Sequence, residues 1–194
     1  MDHAEGHLAA ARDWYLEGVD AIPAEGWTKP SLCAGWTAAH VVAHVATGDQ
    51  LVRGLILDAL GGDRQGQDLP ADFADRQRRM QLMTAWEPSR LAEASRRDSE
   101  QLVAALEDAV QRAPTTVITM PFGEAPLTTV RARRINEYVI HGYDLSPAIG
   151  RRRPIPTRHL EGTLGEVVMT MARLHQRSPH KGRSASFHFH RTDG

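Results

Sequence analysis

Apolar residues recur along this chain at intervals of three and four, the spacing that gathers them on one face of an α-helix. His7, Ala10, Ala11, Trp14 and Val19 keep that interval over residues 3–20, and Ile22-Pro23 ends it. From Asp20 to Gly35 the chain is rich in proline, glycine and small polar residues and reads as a loop. Thr37 is placed to cap a second helix that runs to about Leu60; Trp36 before it can staple onto Val41, and Gly61-Gly62-Asp63 stops it. The charged stretch 64–86 predicts a shorter helix near 71–84. Pro88 opens a long helix to about Arg112, with Leu91, Ala94, Leu102, Leu106 and Val110 inward. Thr115 to Gly123 is β-branched and closed by proline and glycine, hence a loop or short strand. A further helix is expected over 127–147, stopped by Pro147 and Gly150. The last, about 157–176, carries Leu160, Leu164, Val167, Val168 and Met171 at core spacing.

Four long amphipathic helices predict an all-α bundle with extra helices over residues 1–180. The end of the chain differs. Ser184 to Gly194 alternates with period two, as a strand does, and stops at Asp193-Gly194. Residues 181–194 are therefore expected as a C-terminal tail, or as the first strand of a second domain that is otherwise missing.

Composition narrows the function classes. A chain of 194 residues, 41% hydrophobic, can build the core of one domain. With 23 Lys+Arg against 24 Asp+Glu the net charge of −1 gives no reason to expect nucleic acid, although Arg151-Arg152-Arg153 and Arg131/Arg133/Arg134 form local basic patches. Cys33 is the one cysteine, so no intramolecular disulfide forms, and a reducing cytoplasm is the expected location. Neither an export signal nor a run of about 18 apolar residues is evident, and no membrane association is expected.

The candidate chemistry lies on two of these helices. Glu137 and His141 are four apart, hence on one side of one helix, and that spacing suits a metal. His44 falls by helical phasing among Val41, Val45, Gly48, Val52 and Leu55, where an imidazole needs a partner. Zn²⁺ held by two histidines and a glutamate, with one position left for water or a thiolate, is one way to supply it. The alternative is ordinary solvation: Arg133, Arg134, Glu137, His141 and Asp144 share a polar face that water could cover.

Three stretches in order, Pro30-Ser-Leu-Cys-Ala-Gly-Trp-Thr37 leading into Val41-Val-Ala-His44, Met120-Pro-Phe-Gly123, and Arg133-Arg-Ile-Asn-Glu137-Tyr-Val-Ile-His141-Gly-Tyr-Asp144, resemble the mycothiol-dependent maleylpyruvate isomerase family. The resemblance implies a DinB-like four-helix fold, with His44, Glu137 and His141 matching that family's metal ligands. It implies a divalent metal, usually zinc with nickel as the alternative, and mycothiol, the low-molecular-weight thiol that actinobacteria use in place of glutathione. The expected activity is that of a metal-dependent thiol S-transferase acting on an electrophilic small molecule. Hydrolysis by bound water and a non-catalytic binding or regulatory role are the competing readings. Maleylpyruvate isomerisation itself is not the leading one, because the family's isomerase carries a second domain with a catalytic arginine and only its opening strand is matched here.

Around these ligands several residues have two readings. His40 stands where the family commonly has an acidic residue, and is a ligand neighbour, a substrate contact or a helix-start residue. Trp36 is an anchor of its loop or a platform for the cosubstrate. Arg133 pairs with Glu137 or receives an anionic substrate. Asp144 orients His141, contacts substrate or makes a surface ion pair. Cys33 has no base that sequence can identify and is expected to be a packed thiol. Whether two chains pair through their bundles is left open.

Overall fold

The computed structural model describes residues 6–165 apart from 121, 122, 161 and 164. The expected tail at 181–194, most of the 157–176 helix and residues 3–5 of the first helix lie outside the described residues; 157–160 are helical.

Helices α1 (His7–Asp20), α2 (Ala38–Ala59), α4 (Pro88–Arg112) and α5 (Leu127–Asp144) form the frame, with α3 (Phe73–Met83) beside it. The fold is all-α and DinB-like. Here α2 packs most extensively on α4, and α1 on α5, while α3 lies against α2. Between them Leu8, Tyr15, Val41, Val45, Leu91, Leu102, Leu106 and Tyr138 are completely buried. Each large aliphatic side chain so buried contributes about 1.5–3 kcal/mol against exposure. The Tyr15 and Tyr138 rings meet at 5.7 Å, and the Tyr15 hydroxyl reaches Ser95 Oγ at 3.1 Å, which ties α1, α5 and α4 together.

Local signals account for most boundaries. Asp72 caps α3 by accepting from Asp75 N at 2.7 Å, and Pro88 occupies the first turn of α4, where its missing N–H costs nothing. The β-branched segment after α4 is a strand, β1 (Val117–Met120), antiparallel to β2 (Gly123–Pro126) in the register Val117 opposite Pro126. That second strand was not legible, because Gly-Glu-Ala-Pro has no strand pattern of its own. Pro147 does not stop the following helix as expected: α5 ends at Asp144, and Pro147 sits in the first turn of α6 (Ser146–Ile149), which Gly150 ends at φ +78°. No helix among the described residues is long and apolar enough to cross a membrane.

Candidate metal centre

The loop before α2 is pinned from both sides. Ser31 N donates to Trp36 O at 2.8 Å and Trp36 N to Cys33 O at 3.0 Å, closing a turn that Gly35 permits with φ +78°. Leu32 N donates to Asp144 O at 3.1 Å and fastens that turn to the end of α5. Thr37 then caps α2. His40 completes the cap, its Nδ1 lying 3.3 Å from Thr37 N and 2.7 Å from Thr37 Oγ1, so it serves the helix start. Trp36 stands against the site instead, with its ring 4.9 Å from that of His44.

In the second turn of α2, His44 faces α5. Its Nε2 is 3.4 Å from Glu137 Oε2, and His141 Nε2 approaches the same oxygen at 3.6 Å. The three ligand-type atoms lie within 4.8 Å of one another. Two ligands on a tetrahedral zinc with bonds of about 2.0–2.1 Å are about 3.3–3.4 Å apart, so the donor set and its spacing both fit a divalent ion. Glu137 is the most accessible of the three, with 37% of its side chain exposed against 21% for His44 and 12% for His141. The site therefore opens beside the carboxylate.

The other face of His141 is equally specific. Its Nδ1 is 3.0 Å from Asp144 Oδ2, and the Cys33 thiol donates to the same oxygen at 3.1 Å. Cys33 Sγ is 4.0 Å from His141 Nδ1. Cysteine, histidine and aspartate thus form a second group contiguous with the first, and Cys33 has near neighbours that sequence could not identify. Burial works against charge on His141, but Asp144, Cys33 and Glu137 outweigh it and raise its pKa well above the ordinary value. On Glu137 burial opposes ionisation, and hydrogen bonding with His141 and His44, with help from Arg134, holds it well below the carboxylate range. Burial pushes His44 down, against the pull of its bond with Glu137.

Part of the polar face of α5 is buried against its neighbours. Arg134 is 5% exposed and bonds the fully buried Asp49 of α2 at 2.5 Å, while its Nη1 is 3.8 Å from Glu137 Oε2. Burial pushes the Asp49 carboxyl up to about 7 in spite of Arg134. Arg134 brings a guanidinium to Glu137, and Arg133 is half-buried on the same helix. From α3 comes Arg76, 6% exposed, whose Nη2 donates to His44 O at 2.9 Å and to His44 Nδ1 at 3.1 Å. Asp49 was discoverable, since a carboxylate inside the apolar run of α2 demands a partner. Arg76 was not, being one of four arginines in a charged segment of unfixed position. His44 is accordingly not sheathed in aliphatics: both ring nitrogens meet charged side chains.

Fold and site together define a DinB-like helical bundle with a two-histidine, one-carboxylate centre between α2 and α5. Residues 8–146 match the family described as the mycothiol maleylpyruvate isomerase N-terminal domain, and the chain belongs to that family. Two solved structures are similar, a mycothiol-dependent maleylpyruvate isomerase and a point mutant of it. Each has 20% sequence identity and a TM-score of 0.69, over 86% of this chain and 70% of the other. That likeness shows the fold. No curated protein matches the chain.

Proposed function

We propose that the protein is a divalent-metal-dependent thiol S-transferase, using a mycothiol-type cosubstrate and an electrophilic small molecule. The observation that carries this reading is Glu137 Oε2 set 3.4 and 3.6 Å from two imidazole nitrogens, separations close to those between two ligands of a tetrahedral zinc. His44, Glu137 and His141 would hold the ion, and zinc suits this nitrogen and oxygen set. A divalent ion bound there would lower the pKa of a thiol and hold it as the thiolate at neutral pH.

The chain's own residues do the rest. Asp144 accepts from His141 Nδ1, which turns Nε2 to the site and fixes the ring. Arg134 helps to keep Glu137 ionised. Trp36, its ring 4.9 Å from that of His44, would offer the cosubstrate a flat wall. The buried Asp49–Arg134 pair joins α2 to α5 and so sets the distance between the ligand helices.

Metal content after purification without chelator tests the assignment, on wild type and on His44→Ala and Glu137→Ala. About one zinc or nickel per wild-type chain, lost in both variants with helical content kept, is the expected result. Turnover of electrophiles that depends on added thiol then supports transfer, and turnover without thiol replaces it with hydrolysis by bound water. Metal unchanged in the variants would sink the ligand set.

A further inference from the structure

The two buried arginines near the centre are unequally provided for. Arg134 closes on Asp49, whereas Arg76 has no carboxylate at ion-pairing distance among the described residues, and its Nε has no hydrogen-bond partner there. A buried guanidinium so placed is costly unless its other bonds are good. Those bonds go to His44, at the backbone oxygen and at Nδ1. Gly48 makes the room: a Cβ there would lie 3.4 Å from Arg76 Nη2 and 3.2 Å from Arg134 Nη1.

An arginine has donors only, so the nitrogen that faces it must accept. His44 Nδ1 therefore carries no proton in this arrangement, and the ring proton sits on Nε2, pointing at Glu137 Oε2. A metal binds the nitrogen that has a free lone pair. For His44 Nε2 to coordinate, the proton has to reside on Nδ1, where it would meet Arg76 Nη2 donor to donor. His141 has no such conflict, since Asp144 accepts from its Nδ1.

We propose that Arg76 is a positioning residue that opposes metal loading by holding His44 in the tautomer that cannot coordinate, so that filling the site drives the guanidinium off Nδ1. The inference rests on His44, Glu137 and His141 being the metal ligands. Arg76 comes from α3, which lies outside the four-helix frame and packs on α2.

Two measurements on the full-length chain test this. Long-range proton–nitrogen NMR on histidine-labelled wild type reads the His44 tautomer directly, and chelator competition reads zinc affinity in wild type and Arg76→Met. The expected results are an unprotonated Nδ1 in the metal-free protein, a protonated Nδ1 after zinc is added, and about tenfold tighter zinc binding in Arg76→Met, the scale of one hydrogen bond to a charged group. A protonated Nδ1 in the metal-free wild type overturns the proposal whatever the variant does. Zinc bound by both proteins with unchanged or weaker affinity in Arg76→Met overturns it and leaves the ligand set standing. Failure of both to bind zinc overturns the ligand set and the proposal together.

Discussion

His44 and His141 reach the same glutamate oxygen from facing helices, yet the rest of the molecule prepares them in opposite ways. On α5, a carboxylate stands behind the ring: Asp144 accepts from His141 Nδ1 and keeps that proton away from the site, so Nε2 is the nitrogen that turns to Glu137. On α2, a cation stands behind it: Arg76 donates to His44 Nδ1 and puts the ring's proton on the nitrogen that faces Glu137. The same side chain thus has only to give up its Nε2 proton to coordinate on one helix, and has to move a proton between its two nitrogens on the other. The difference teaches that the group behind an imidazole, and not the imidazole itself, sets its chemistry.

That contrast can be broken or sharpened. Both halves meet at Glu137, so Glu137→Ala should give the largest effect, a loss of zinc affinity of more than about 100-fold by chelator competition, above the scale of losing a residue that only supports a ligand. Asp144→Asn should come next, weakening zinc about 10- to 100-fold by the same measurement. Its direction is opposite to that expected of Arg76→Met, and two effects of the same sign would erase the comparison.

The two imidazoles should also give opposite slopes of stability against pH in metal-free protein. His44 has a lowered pKa, so below its ordinary value of 6.5 the unfolded chain binds more protons than the folded one, and stability rises with pH up to about 6.5. His141 has a raised pKa, so its contribution is complete below 6.5 and is lost as pH climbs above it. Urea unfolding across this range should show the acid-side rise flattened in His44→Gln and the alkaline-side fall flattened in His141→Gln. A common slope change in both variants would show that the rings are not differently prepared.

The smallest effect belongs to Cys33. Cys33→Ser keeps a donor toward Asp144, and zinc affinity is expected to stay within about twofold, the margin below a typical neutral hydrogen bond. A larger loss would make the thiol part of the site and extend the difference between the two sides.

Much of the frame was legible from local rules. Thr37, Pro88 and the three-to-four spacing of Leu91, Leu102 and Leu106 act within a few residues, and the helices begin and pack as those signals direct. The spacing of Glu137 and His141 is likewise a property of one helix. Pro147 misled because proline is excluded from a helix interior but welcome in a first turn, and the spacing alone does not say which turn it will enter. The strand Gly123–Pro126 was missed because its conformation comes from pairing with Val117–Met120.

The sequence by itself determined the helices, their apolar faces and the residue types available for a metal, since these follow from side-chain chemistry and a period of 3.6 residues. Only the tertiary structure decided that Arg134 on the polar face of α5 is buried and takes Asp49 of α2, that Cys33 joins Asp144 behind His141, and that Arg76 of α3 stands behind His44. Those partners lie 32 to 111 residues apart in the chain, and hydrogen bonds and charges act over a few ångströms of space, which no local spacing records.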